Sequence, residues 1–273
     1  MKSLRHIFLI ITLVNSHNSF CAEDDKSFQE QSVLSVLYVQ TSSEFAANNI
    51  QTFNNASEAL LRGLKENSWT AALEQTNNFK NKPPAIIIDI DETVLDNSSF
   101  QSRTILNGLS YPNGWSEWVN ESNSTPVAGV FEFLHFAKDS GVKIFYVTNR
   151  LEIFREATIK NLKKLNLPFE EDNLLMRKAE SSRDKTQRRQ TVADKNRIIL
   201  LIGDQLTDFI STKEAYVFHK DRKKLAEKYS NMWGKKWFLI TNPTYGRWEL
   251  SIYENLPSSE KEAIEIRKKT LVP

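Results

Sequence analysis

Asp89-Ile90-Asp91-Glu92-Thr93 ends one apolar, β-branched run, and Gly203-Asp204-Gln205-Leu206-Thr207-Asp208 ends another. Thr148-Asn149-Arg150 closes a third such run between them. Carboxylates gathered at buried strand tips repel one another, and loss of water raises their cost further. A hard divalent cation resolves the conflict. Magnesium takes a few carboxylate or carbonyl oxygens, several waters and a substrate phosphate. The chemistry that such a group supports is phosphoryl transfer. One carboxylate attacks phosphorus to form an aspartyl-phosphate. A second, two residues on, protonates the leaving oxygen and later activates water. A hydroxyl and an ammonium hold the phosphate oxygens as charge shifts. Asp89 and Asp91 alone would read equally well as a turn with solvated acids. The second pair, Asp204 and Asp208, after another apolar run, argues against that.

The elements that must carry these tips follow from periodicity. Ala85–Ile90, Lys143–Thr148, Arg197–Ile202 and Trp237–Thr241 read as buried strands, with a further short one at Tyr216–Phe218. Between them, Thr125-Pro126 reads as a helix start, with Thr125 as N-cap and Pro126 at the first helical position. The helix it opens runs over Val127–Lys138 and ends at Gly141; a further helix spans Glu152–Leu165. Continuous apolar strands alternating with helices predict an α/β fold, a parallel sheet covered on both faces, whose ligands bind beyond the strands' carboxyl ends. Ahead of the first strand, Glu30–Glu66 reads as a long helical stretch and Trp69–Phe79 as a shorter helix, together a helical lobe over 22–80. The α/β core is expected over 85–96 and 125–273. The segment 97–124 is too long for a simple connection, and its Tyr111, Trp115 and Trp118 suggest a small cap over the site.

Composition narrows the class. The chain has 273 residues, 40 % apolar and 26 % charged, which suits one globular domain with added lobes. Its net charge is +2, and the surplus, Lys2 and Arg5, lies in an acid-free start. The remainder is balanced, so no nucleic-acid polymer is expected as a partner. Residues 1–21 read as a secretory leader: a basic start, the apolar run Ile7–Val14 and a polar end, which predicts a secreted or periplasmic protein. Cys21 is the sole cysteine, so no internal disulfide forms. Lipid attachment at Cys21 to an outer membrane is disfavoured by Asn18 and Phe20, which fit a lipidation signal poorly. No later stretch predicts a transmembrane segment.

The four acidic positions, Thr148 after a strand, a lysine ahead of the Arg197–Ile202 strand and Gly203 together resemble the four motifs of haloacid dehalogenase-like (HAD) superfamily phosphatases. The finer likeness is to the class C nonspecific acid phosphatases. It rests on Ile88–Asn97, Phe145–Arg150, Trp115–Gly129 and Tyr38–Glu44, and covers about Ser32 to Glu249. The resemblance implies a Rossmann-like HAD core and one Mg²⁺ per chain. It makes Asp89 the nucleophile and a metal ligand, and Asp91 the general acid/base, with its backbone carbonyl on the metal. Asp204 is then a metal ligand and Asp208 a support of the metal and its waters. Thr148 and Lys185 hold the phosphoryl group, although Lys178, Arg183, Arg188 and Arg189 crowd the same stretch as Lys185. Asn149 and Arg150 are implied substrate contacts, and Trp115 and Tyr245 an aromatic pair that sandwiches the leaving group. The implied activity is hydrolysis of a small-molecule phosphomonoester, such as a nucleoside monophosphate or an aryl phosphate. Two alternatives stay open: a non-catalytic storage or surface-binding protein of the same fold, and a phosphotransferase. Homo-oligomerisation is left open as well.

Overall fold

The computed structural model describes residues 30–273. Residues 1–21, read as a leader, and Cys21, where lipid attachment is disfavoured, lie outside the described residues. The chain opens with helices α1 (Val33–Thr41) and α2 (Ser43–Lys65). The single helical stretch expected here is broken at Ser42, whose backbone is extended and whose hydroxyl accepts a hydrogen bond from Phe45 N at 2.9 Å. That bond satisfies one of the orphan amides at the start of α2.

The strands are β1 (Pro84–Ile88), β2 (Leu95–Asp96), β3 (Thr125–Pro126), β4 (Lys143–Leu151), β5 (Leu174–Arg177), β6 (Arg197–Gly203) and β7 (Trp237–Leu239). Five of them form a wholly parallel sheet in the order β5-β4-β1-β6-β7, the α/β architecture that alternation predicts. Both faces of β1 are buried. Ile86 and Ile88 join Phe53, Ala56 and Leu60 of α2 and Phe133 and Leu134 of a later helix in one core cluster. Ala85 and Ile87 join Val192, Phe209 and Trp237 in the cluster on the other face. Truncating a side chain such as Ile88 to alanine would cost about 2–5 kcal/mol. The central position of β1 sets the site. Ile88 lies level with Tyr146 of β4 on one side and Ile202 of β6 on the other, so the three tips converge at one sheet end.

Three expectations need correction. Trp69–Phe79 is not helical. Ala71 N donates to Ile198 O at 2.7 Å and Trp69 Nε1 to Ile199 O at 2.9 Å. Gln75 accepts from Ile198 N at 2.9 Å and donates to Asn196 O at 2.7 Å. These bonds serve the first half of β6, which β7 pairs only from Leu201 onward. Buried backbone groups demand partners, and that demand overrides the local helical pattern. Second, Thr125-Pro126 does not start a helix: it pairs antiparallel with Leu95-Asp96, closing the base of the insertion between them. Third, Tyr216–Phe218 is not a strand but links two helices, described below. The short β5 carried no sequence signal.

The insertion between β2 and β3 holds α3 (Ser98–Asn107) and α4 (Trp115–Glu121), joined by an Arg103–Glu121 ion pair at 2.5 Å. α5 (Val130–Asp139) follows Gly129, whose φ of 85° suits glycine, and Gly141 (φ 73°) lies just past its end as expected. After a 3₁₀ turn at Glu152–Phe154 comes α6 (Arg155–Lys164). Then follow α7 (Thr186–Ala193), α8 (Thr212–Ala215), α9 (His219–Lys228), α10 (Arg247–Leu250) and α11 (Glu260–Thr270). None of the helices among the described residues is long and apolar enough to cross a membrane.

Candidate active site

Beyond β1 the chain turns tightly. Ile90 O accepts hydrogen bonds from Val94 N and Leu95 N, both at 2.8 Å, and Glu92 adopts a left-handed φ of 58°. The turn leaves Asp89 buried at the strand tip. Lys185, one residue ahead of α7, sends its ammonium to Asp89 Oδ1 at 2.5 Å and to Asp208 Oδ1 at 2.6 Å. Of the basic residues that crowd this stretch, it is Lys185 that touches both acids. Arg188 donates instead to Thr148 O and, at 2.7 Å, to Asn149 Oδ1. Arg189 is buried against Glu74 and donates to Thr207 O at 3.0 Å and Asp208 O at 3.2 Å, bracing the turn that carries Asp208. Asp184 anchors the base of α7 by accepting from Thr186 N at 2.7 Å and from both Thr212 N and Oγ1 at 2.6 Å. Against the upward push of partial burial, these bonds hold its carboxyl down at about 2.

At the tip of β6, Asp204 Oδ2 accepts from Asn242 Nδ2 and Gln205 Nε2, each at 2.8 Å, while Thr93 Oγ1 lies 3.5 Å from Oδ1. Asp208 folds back over the strand end, its Oδ2 accepting from Gln205 N at 2.8 Å. A Cβ on Gly203 would come within 2.3 Å of that Oδ2, so only glycine leaves room for the acid there. One oxygen from each of Asp89, Asp204 and Asp208 lies within 4.8 Å of the others. Burial pushes the Asp89 carboxyl well above the usual range; Lys185 pulls it back, but the charges of Asp208, Asp204 and Asp91 add to the push. Burial, with the Asp208 charge, lifts Asp204 to about 6 against the hydrogen bonds from Asn242 and Gln205 and the charge of Lys185. Three buried carboxylates against one buried ammonium leave two negative charges unbalanced. An all-oxygen donor set with that deficit fits a hard divalent cation.

The chain that carries this acidic cluster is similar to known proteins. A family model described as "HAD superfamily, subfamily IIIB (Acid phosphatase)" matches residues 13–248. The chain belongs to this acid phosphatase family. A structure of the class C acid phosphatase from Bacillus anthracis is 32 % identical, covers 90 % of this chain and 98 % of its own, and superposes with a TM-score of 0.78. A second structure of the Bacillus anthracis enzyme, with tungstate bound, is 32 % identical, covers 91 % and 99 %, and gives 0.80.

In this HAD acid phosphatase Asp91 is more exposed than Asp89, and all of its hydrogen bonds from described residues end on Oδ1. Thr148 is fully buried, and its hydroxyl accepts from Arg150 N at 3.0 Å. Arg150 sits with its guanidinium against Asp91 and 5.6 Å above the Trp115 ring. Trp115 itself packs edge-on against Phe100 at 5.1 Å and Tyr111 at 6.0 Å. The Tyr245 hydroxyl donates to Glu92 Oε2, tying the loop after β7 to the turn after β1. Burial first, then the Asp91 and Asp204 charges, pushes Glu92 well above the usual carboxylate range. Sequence reasoning passed over Asn242, Gln205 and Asn97 as site residues. Asn242 carried a usable signal, since it stands just past β7, the strand beside β6. Its own Oδ1 accepts from Thr244 Oγ1 at 2.7 Å, which turns Nδ2 toward Asp204.

Proposed function

We propose that this acid phosphatase hydrolyses phosphomonoesters in two steps through phospho-Asp89. The observation that carries the reading is the buried Asp89 carboxylate, 2.5 Å from Lys185, in a cluster with Asp204 and Asp208. Asp89, Asp204 and Asp208, with the Asp91 backbone carbonyl, would hold one Mg²⁺ per chain, which when bound supplies positive charge beside the phosphoryl oxygens. Lys185 favours the ionised form of Asp89 against the opposing effect of burial. Burial disfavours charge on the lysine as well, but the Asp208 and Asp89 charges and hydrogen bonds outweigh it and raise the lysine's own affinity for its proton. An Asp89 oxygen attacks phosphorus as the ester P–O bond breaks, and Asp91 gives its proton to the leaving oxygen. Water then attacks the aspartyl-phosphate, Asp91 takes a proton from it, and the P–O bond to Asp89 breaks to release phosphate. Lys185 and Thr148 hold the phosphoryl oxygens throughout.

The substrate class is a phosphate on a flat ring, a nucleoside monophosphate or an aryl phosphate. The insertion of α3 and α4 acts as a cap, and Trp115 from it and Tyr245 from the opposite loop take the ring by stacking, which tolerates many ring types. The leader-like start supports action outside the cytoplasm. The test is hydrolysis of p-nitrophenyl phosphate and of nucleoside monophosphates between pH 4 and 8, with and without chelator. Turnover lost with chelator and restored by Mg²⁺ supports the reading. No release of phosphate from any ester, with metal present, would sink it.

A further inference from the structure

Asp91 Oδ1 receives three hydrogen bonds: from Arg150 Nε at 2.9 Å, Arg150 Nη2 at 2.8 Å and Asn97 Nδ2 at 2.9 Å. A carboxylate oxygen offers about two lone pairs, so these donors saturate it. Neither donor is free to turn away. Asn97 is buried, and its Oδ1 accepts from Trp118 Nε1 at 2.9 Å and Ser124 Oγ at 2.8 Å, which fixes Nδ2 toward Asp91. The Arg150 side chain is only 1 % exposed. Its remaining terminal nitrogen, Nη1, donates to buried Thr158 Oγ1 at 3.2 Å, and its backbone N to Thr148 Oγ1.

We propose that Arg150 and Asn97 are positioning residues for Asp91, which saturate Oδ1 and so make Oδ2 the atom that exchanges a proton with leaving group and water. The proposal rests on Asp91 being the acid/base of the reaction above. It moves Arg150 from contact with substrate to control of the acid. It also gives the insertion a catalytic consequence: Trp118 of α4 sets the Asn97 amide, and the amide sets the carboxylate. In the first step the proton on Oδ2 goes to the leaving oxygen as its bond to phosphorus breaks. In the second, Oδ2 regains one from the attacking water. A guanidinium fixed by two nitrogens on one oxygen suits this task better than lysine, which lacks the planar fork.

The experiment uses the full chain with Mg²⁺ and compares two esters. p-Nitrophenyl phosphate expels a stable anion and needs little acid; glycerol 2-phosphate expels an alkoxide and needs much. Arg150→Met is expected to lower kcat about threefold on the first and about 100-fold on the second, in the range that general acid catalysis supplies. Inorganic phosphate binding, measured by calorimetry, stays within about twofold of wild type. Trp118→Phe removes one of the two bonds that orient Asn97 and leaves that from Ser124, and gives the same pattern at about a tenth of the size; it also serves if Arg150→Met fails to fold. Equal losses on both esters, with weaker phosphate binding, would make Arg150 a substrate ligand and overturn the proposal. So would unchanged selectivity between the esters in both variants. Asp91→Asn is the reference. If it too shows no preference for the better leaving group, the acid/base reading of Asp91 falls and takes the proposal with it; if it does and the other two variants do not, only the proposal falls.

Discussion

Asp89 and Asp91 stand two residues apart on one turn, yet their surroundings differ in kind. Asp89 is buried among Asp204 and Asp208, with a single compact ammonium against it. Asp91 is partly open, faces a planar guanidinium and an amide, and has one oxygen saturated. The first setting concentrates negative charge and so suits a cation; the second pairs its carboxylate with a guanidinium and fixes its direction. A nucleophile needs charge held ready, whereas a proton carrier needs a free, aimed oxygen. The turn after β1 serves both because β6 closes on one side of it and the inserted segment on the other.

The hardest blow to the charge-gathering half is Asp89→Asn. It should lower turnover by about 10⁴-fold or more, as for other removed nucleophiles, and acid-quenched reactions with labelled substrate should hold no phosphorylated protein. Retained phosphoprotein would move the nucleophile elsewhere. Lys185→Met comes next. It strands Asp89 and Asp208 without their cation, so the metal-free protein should lose about 3–5 kcal/mol of stability in urea unfolding. The magnesium-loaded enzyme should lose about 10²–10³-fold in kcat. Asn242→Ala probes the same half more gently: Asp204 Oδ2 loses one donor, and magnesium should bind about 10-fold more weakly, read by titration calorimetry.

The smallest expected effect concerns pH. Asp204 is lifted to about 6 and Asp89 is raised too, so the metal-free fold holds more protons than the unfolded chain between about pH 4 and 6. Its stability therefore falls as pH climbs through that window, where these acids ionise against one another. Protons and metal compete for the same oxygens, so the rise in melting temperature on adding Mg²⁺ should grow from pH 4 to pH 7. A melting shift independent of pH would mean that the cation binds outside this cluster.

Much of the charge-gathering half was legible in the sequence, because buried strands announce themselves. The runs at Ile86–Ile88, Ile144–Val147 and Ile198–Ile202 needed two covered faces, and that requirement alone brings Asp89, Thr148 and Asp204 to one sheet end. Lys185 was singled out by the family resemblance; charge alone narrows the choice only to a basic stretch, since charge along a chain does not say which side chain turns inward. The orienting half was less legible. Asn97, Gln205 and Asn242 are amides of the sort that turns use everywhere, and what distinguishes them is the atom each one faces. Trp69–Phe79 misled for a related reason: its polar side chains and backbone are spent on β6, a partner more than a hundred residues away.

Gly203 has a consequence for how this protein tolerates change. The absence of one methyl group lets the carboxylate at 208 lie across the end of β6. Alanine there would leave the sheet's hydrogen bonding intact while driving Asp208 off its lysine. A scan of substitutions at 203 should thus return proteins that fold and have lost turnover, a dead-enzyme phenotype from a residue with no functional group at all.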